Sequence, residues 1–187
     1  VSLRNYLKKN KIYHFEATRT ARVPSRNKDI SVVNDLMIHD LDLAIQFNGK
    51  IKKISSVGIV QNRIIEYAKV NIIHYNKAIS TLTASRITDK KIRSLNILGK
   101  NFFIEANLLE NEFNVYKNAK YSFTKDKRYT VSNILEKIQS NPTEPLLAEL
   151  NKFISSNESE FKKLQNFGCD YNLELLKYCN LIQKQIL

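Results

Sequence analysis

Glycine, proline and cysteine are scarce in this chain: four, three and two of its 187 residues. The scarcity of glycine removes whole classes of site. Gly49, Gly58, Gly99 and Gly168 stand far apart, so no G-x-G-x-x-G turn follows a strand and no P-loop is present. The chain has no visible dinucleotide site of its own. It also has no internal repeat and no low-complexity linker. Cys169 and Cys179 are the two cysteines. On a helix their spacing would hold them about 15 Å apart, too far for a disulfide. Without a C-x-x-C or a Cys/His cluster there is no zinc site. Both cysteines read as reduced core thiols of a cytoplasmic protein. No apolar run approaches the ~20 residues that span a bilayer. The start, VSLRNYLKKNKIYHF, lacks the continuous apolar stretch of a signal peptide. G-x-S-x-G, H-E-x-x-H and paired catalytic carboxylates are missing as well.

What is present suits one α+β domain over residues 1–187. The 43% hydrophobic content can bury a sizeable core. The net charge of +12 and pI near 9.6 raise the reading of a basic nucleic-acid-binding module. That module would bind with salt-dependent affinity. However, the lysine pairs at 8–9, 52–53, 90–91 and 162–163 are dispersed among acidic and apolar segments. No arginine-rich block or helix-turn-helix pattern accompanies them, and no nucleic-acid partner is expected.

Residues 11–21, KIYHFEATRTA, alternate as a strand, and Leu3 to Lys9 reads as the end of a helix. A polar loop with Pro24 follows. From Val32 to Phe47 the apolar positions Val33, Leu36, Met37, Leu41, Ala44 and Ile45 keep a helical period, with Ser31 or Asn34 as cap and Asn48-Gly49 as the stop. Six segments rich in Ile, Val, Phe, Tyr and Thr then read as strands: 50–60, 66–76, 77–87, 91–99, 101–107 and 111–117. Asn76-Lys77 and Gly99-Lys100 mark tight hairpins. Two helices close the pattern, one starting at Pro145 in PLLAELNKFISS and one over Tyr171 to Leu187. The order predicts a large open, mostly antiparallel sheet with its helices packed on one face. Apolar residues on both sides of several strands, as in Ile72-Ile73 and Leu95-x-Ile97-Leu98, leave the other face available for dimerisation.

The chemistry concentrates in NDLMIHDLDL, residues 34–43. Asp35 and His39 are spaced i, i+4 on the predicted helix and share a face. A carboxylate one turn from an imidazole can fix its tautomer and raise its basicity, as a general acid or base needs. On spacing alone, an ordinary intrahelical ion pair or a histidine satisfied by a carbonyl explains the pair more simply. Asp40 and Asp42 fall on other faces, open to solvent or to lysines. His14 and His74, in predicted strands, read as structural.

Neighbouring motifs change that balance. RTARVPSRNKDISVVNDLMIHDLDL resembles the central signature of the C-terminal domain of the Gfo/Idh/MocA oxidoreductases: an arginine-bearing strand, a loop with Pro and Arg, then D-x-x-x-H-D-x-D on a helix. EYAKVNIIHYNKAISTLTAS, RSLNILGKNFFIEAN and TEPLLAELNKFISS resemble the family's later segments, in the same order. Lys77 stands where relatives usually have Gly, and Lys100 and Asn101 replace small turn residues.

The resemblance implies a substrate-binding and dimerisation domain, usually preceded by a Rossmann domain that binds NAD or NADP. Residues 1–10 would be the connection from that domain, and the family's E-K-P segment is not in this sequence. By resemblance His39 matches the residue that takes the proton from a sugar hydroxyl, and Asp35 the acid that orients it. Arg22 and Arg26 lie in the substrate-facing loop, where arginine suits diphosphate or hydroxyl contacts, and Asp40 is a further substrate-binding candidate. The implied substrate is a sugar or a nucleotide sugar, with the UDP-N-acetylglucosamine branch the nearest in spacing. The implied assembly is a homodimer through the sheet face. No cofactor is expected on this chain alone, and the isolated chain is expected to be inactive. The rival reading is a non-catalytic remnant that folds and dimerises; the reading frame upstream of Val1 discriminates the two.

Overall fold

The structure, a computed structural model, describes residues 10–22, 29–123, 129–139 and 158–187, with side chains over 10–22, 29–117 and 170–187. Strand β1 (Ile12–Thr20) comes first. A five-residue π-helical turn (Val33–Met37) runs directly into helix α1 (Ile38–Asn48). Seven strands follow: β2 (Ile51–Gln61), β3 (Ile64–His74), β4 (Ile79–Ser85), β5 (Ile92–Gly99), β6 (Phe102–Asn107), β7 (Glu112–Phe123) and β8 (Tyr129–Gln139). Helix α2 (Glu158–Ile186) is the last element.

The strands form one open sheet in the order β2-β3-β4-β1-β5-β6-β7-β8. β1 and β4 run parallel, and every other neighbouring pair is antiparallel. The chain leaves β1, crosses the sheet through α1, builds the β2–β3–β4 meander and returns to pair beside its start. The α+β class expected from the sequence is the observed one. The six predicted strands correspond to β2–β7. The eighth, β8, was not predicted. The predicted helices at Leu3–Lys9 and Pro145 lie outside the described residues, and the one over Tyr171–Leu187 is the C-terminal part of α2.

Period-two alternation divides the sheet into two faces. Ser56, Val70, Leu82, Ala17, Leu95 and Ala106 lie in register across six strands and share the covered face. There Phe15 packs its ring 5.9 Å from that of Phe47 on α1. The Ser56 hydroxyl donates to the carbonyl of Ile182 on α2 at 3.2 Å. α2 crosses close enough that a Cβ on Gly58 would stand 2.8 Å from Ile186. Cys179 is fully buried beneath this helix as a free thiol, and desolvation pushes its pKa up to about 11. It stays protonated and inert at neutral pH. The Cys169 side chain lies outside those described.

The opposite face is mixed rather than uniformly apolar. One row carries Ile73, Ile79, Leu98, Phe103 and Tyr116, with His14 among them. The next carries Asn71, Thr81, Glu16, Asn96, Glu105 and Asn114. His14 Nε2 meets Thr81 Oγ1 at 3.1 Å in this second setting, a structural role as expected. The β3–β4 hairpin turns on Lys77, whose N–H donates to the His74 carbonyl at 3.0 Å and whose φ is +69°. Lys77 thus occupies a left-handed position that glycine takes without strain.

His74 is fully buried behind that hairpin. Its Nδ1 lies 2.8 Å from the Gly49 carbonyl and its Nε2 2.8 Å from Ser80 Oγ. Asn48 Nδ2 donates to the same hydroxyl at 3.0 Å. The network fits one tautomer: Nδ1–H donates to the carbonyl, and Nε2 accepts from the serine. Burial lowers the His74 pKa below 6.5 against the opposing carbonyl hydrogen bonds. A depressed histidine pKa means that the unfolded chain binds the extra proton first. Stability contributed by neutral His74 is therefore complete above pH 6.5 and falls as pH drops from there toward the folded pKa, by at most about 1.4 kcal/mol per pH unit. Urea unfolding at pH 7 and pH 5 should show this loss, and His74→Gln should flatten it. An equal slope in both proteins would contradict the assignment.

Candidate active site

β1 and α1 together build the site. On β1, Phe15, Ala17 and Arg19 point to the covered face. α1 runs antiparallel to the strand, with Phe47 over Phe15 and Asp40 over Arg19. Arg19 donates from Nε to one Asp40 oxygen at 2.9 Å and from an Nη to the other at 2.7 Å. The two side chains are 12% and 4% exposed, so this is a buried bidentate pair. Asp40 is therefore turned down onto the sheet, with both oxygens engaged, instead of standing beside His39 in solvent or meeting a lysine.

The other flank of the helix faces α2. The Tyr171 hydroxyl donates to the Asp42 carboxylate, and Gln183 Nε2 donates to Asn34 Oδ1 at 3.2 Å. Desolvation and then the Asp42 bond raise the Tyr171 pKa well above its usual value, so this phenol stays a donor. With 100° per residue, His39 lies between the Asp40 flank and the Asp42 flank, on the outward side. It is exposed, and Asp35 is half-buried. No side-chain hydrogen bond joins them, and neither has another among the described residues.

Asp35 sits within the π-turn. The N–H of Ile38 reaches back five residues to the Val33 carbonyl, and Ser31 Oγ accepts from the Val33 N–H at 3.1 Å. Such a widened turn inserts one residue into the helix and recurs at functional sites. The i, i+4 spacing of Asp35 and His39 straddles the junction from π to α.

Arg22 pairs with Asp89, both more than three-quarters exposed, a contact of little energetic weight. Arg26 lies outside the described residues. Two arginines that the sequence reading passed over shape the site instead. Arg19 holds Asp40. Arg86, buried at the end of β4, pairs with Glu66 at 3.3 Å and donates to the carbonyl of Ile30, fixing the chain that enters the π-turn. The signal for Arg19 was available: Phe15-x-Ala17-x-Arg19 puts a guanidinium on an apolar strand face, which demands a buried acid.

Among the described residues no group of three His, Cys, Asp or Glu could hold a metal. The glycines do not cradle a dinucleotide either. Gly49 ends α1, Gly58 and Gly99 lie in strands and Gly168 lies within α2, so none forms a strand-to-helix phosphate turn. No helix among these residues is long and apolar enough to cross a membrane.

No protein-family model matches the chain. A stretch of 107 residues, 55% of the chain, is 27% identical to UDP-N-acetylglucosamine 3-dehydrogenase of Acidithiobacillus ferrooxidans, of which it covers 34%. The solved structure of that enzyme superposes on 97% of this chain with a TM-score of 0.76 at 20% identity, over 57% of its own length. Levoglucosan dehydrogenase in complex with NADH matches 71% of the chain, 42% of its own, with a TM-score of 0.53 at 15% identity. An Agrobacterium radiobacter oxidoreductase in complex with NAD+, L-tartaric acid and magnesium matches 69%, with a TM-score of 0.53. The solved structures share the fold, and this chain spans little more than half the length of the first of them, or less. The chain is thus similar in sequence to that dehydrogenase over 107 residues and shares its fold with these solved oxidoreductases.

Proposed function

We propose that this chain is the substrate-binding and dimerisation part of an NAD- or NADP-dependent oxidoreductase acting on a hydroxyl of a sugar or nucleotide sugar. The observation that carries the reading is His39: exposed, without a side-chain hydrogen bond among the described residues, and one turn from Asp35 on a helix otherwise locked in place. A histidine that contributes nothing visible to packing is free to exchange a proton with a ligand.

His39 accepts the proton of the substrate hydroxyl, and Asp35, one turn away, orients it. Arg19 and Asp40 hold the helix that presents them, as positioning residues. Arg22 and Arg26 remain candidates for substrate contacts from the loop. By the resemblance, the nicotinamide cofactor belongs to a Rossmann domain of the complete enzyme. The pairing partner of the chain is a second copy meeting it through the open sheet face, with the Ile73–Ile79–Leu98 row as its apolar part.

The test is cofactor reduction. The complete enzyme carrying this chain, or the chain mixed with a separate Rossmann domain, should reduce NAD or NADP with UDP-N-acetylglucosamine or a related sugar. The isolated chain should not. Failure with a panel of free and UDP-linked sugars would sink the reading.

A further inference from the structure

We infer that Arg93, with Lys90 and Lys91 beside it, is the binding point for the anionic part of the substrate, a diphosphate linked to the sugar that reaches His39. This rests on the reading above and deepens it toward a nucleotide sugar.

The register supplies the first observation. Arg93 on β5 is directly opposite Arg19 on β1. Residues opposite each other in an antiparallel pair point to the same face, with Cα atoms about 4.5–5.5 Å apart. Arg19 is buried under Asp40, the neighbour of His39 in sequence. Helix α1 makes its named side-chain contacts with β1 and β4, through Arg19, Phe15 and Ser80. Arg93 lies one strand further out, on the same face, and is exposed. It therefore flanks the end of the helix that carries His39.

Charge pairing supplies the second. At this end of the sheet Arg19 pairs with Asp40, Arg22 with Asp89 and Arg86 with Glu66. Asp29 lies with Arg63 on the α2 side of the π-turn. Lys90, Lys91 and Arg93 have no ion pair among the described residues. Three cations without an ion pair among the described residues thus lie together at this end of the sheet.

The third observation is rigidity. The Thr20 hydroxyl donates to the Lys90 carbonyl and accepts from the Ile92 N–H at 2.9 Å. On the other side, the Leu108 N–H donates to the Arg93 carbonyl at 2.8 Å. The backbone of this basic strip is tied to β1 on one side and to the β6–β7 turn on the other, while the Arg93 side chain makes no contact of its own among the described residues. A fixed stem under a free planar fork suits bidentate binding of phosphate oxygens.

The experiment measures pyrophosphate and UDP-N-acetylglucosamine binding to the 187-residue chain by calorimetry, and follows the His39 ring resonances by NMR. Wild type should bind both ligands. Arg93→Ala should weaken both by about tenfold or more, as loss of a charge-assisted hydrogen bond implies. Arg93→Lys should recover part of the affinity and guards against a folding defect. Equal pyrophosphate affinity in wild type and Arg93→Ala, or no binding by wild type, would overturn the proposal. Arg93-dependent pyrophosphate binding with His39 resonances unmoved by the UDP-sugar would uphold the anion site while sinking the dehydrogenase reading.

Discussion

Replacing His39 by alanine should lower kcat of the complete enzyme by about 10²–10⁴-fold, the usual contribution of a positioned acid or base, and leave thermal unfolding unchanged. The two halves of this expectation come from the same observation. The ring is exposed and makes no described hydrogen bond, so its loss leaves neither cavity nor orphaned partner. A histidine kept for structure looks like His74, which is fully buried and satisfied at both ring nitrogens. Steady-state kinetics and a melting curve on the same preparation separate the cases. Asp35→Asn should reduce kcat less, because it leaves the proton acceptor in place. A His39→Ala enzyme with normal kcat would end the assignment of His39 as acid or base.

The contrast between His39 and His74 shows what was legible in the residues themselves. Both histidines lie among apolar residues in sequence. Period two put His74 in a strand, and the structure adds that it shares the buried face with Val70 and Ile72. Period 3.6 put His39 on a helix one turn from Asp35. Which side of that helix faces the sheet depended on Arg19, a residue twenty positions earlier, and the helical period alone could not choose between Asp40 and His39 as the inward group. The π-turn was likewise hidden, since one inserted residue leaves the apolar spacing nearly intact. The hairpins were readable from Asn76-Lys77 and Gly99-Lys100 because short polar breaks punctuate the strands. The cost of putting Lys77 and Asn101 at positive φ was not readable, because only the backbone reveals it. β8 escaped because YTVSNILEKIQ mixes charged and apolar residues without clean alternation.

The same geometry gives the largest expected stability effect. Asp40→Ala should destabilise the fold by about 3–5 kcal/mol, since it strands the guanidinium of Arg19, whose side chain is only 12% exposed, against the underside of α1. The loss reflects an uncompensated buried charge more than the intrinsic value of the pair. Replacing both partners, Arg19→Met with Asp40→Leu, should therefore recover most of it, because apolar groups of similar volume avoid the desolvation of two ions. Urea midpoints for the single and double variants form the check, and a single variant within about 1 kcal/mol of wild type would contradict the buried pair. The comparison also decides what Asp40 does for the substrate. If Asp40 touched the sugar directly, the double variant would regain stability yet bind substrate poorly. If its work is to hold the helix that carries His39, restoring the packing should restore much of the affinity as well, because the exposed face of the helix is unchanged.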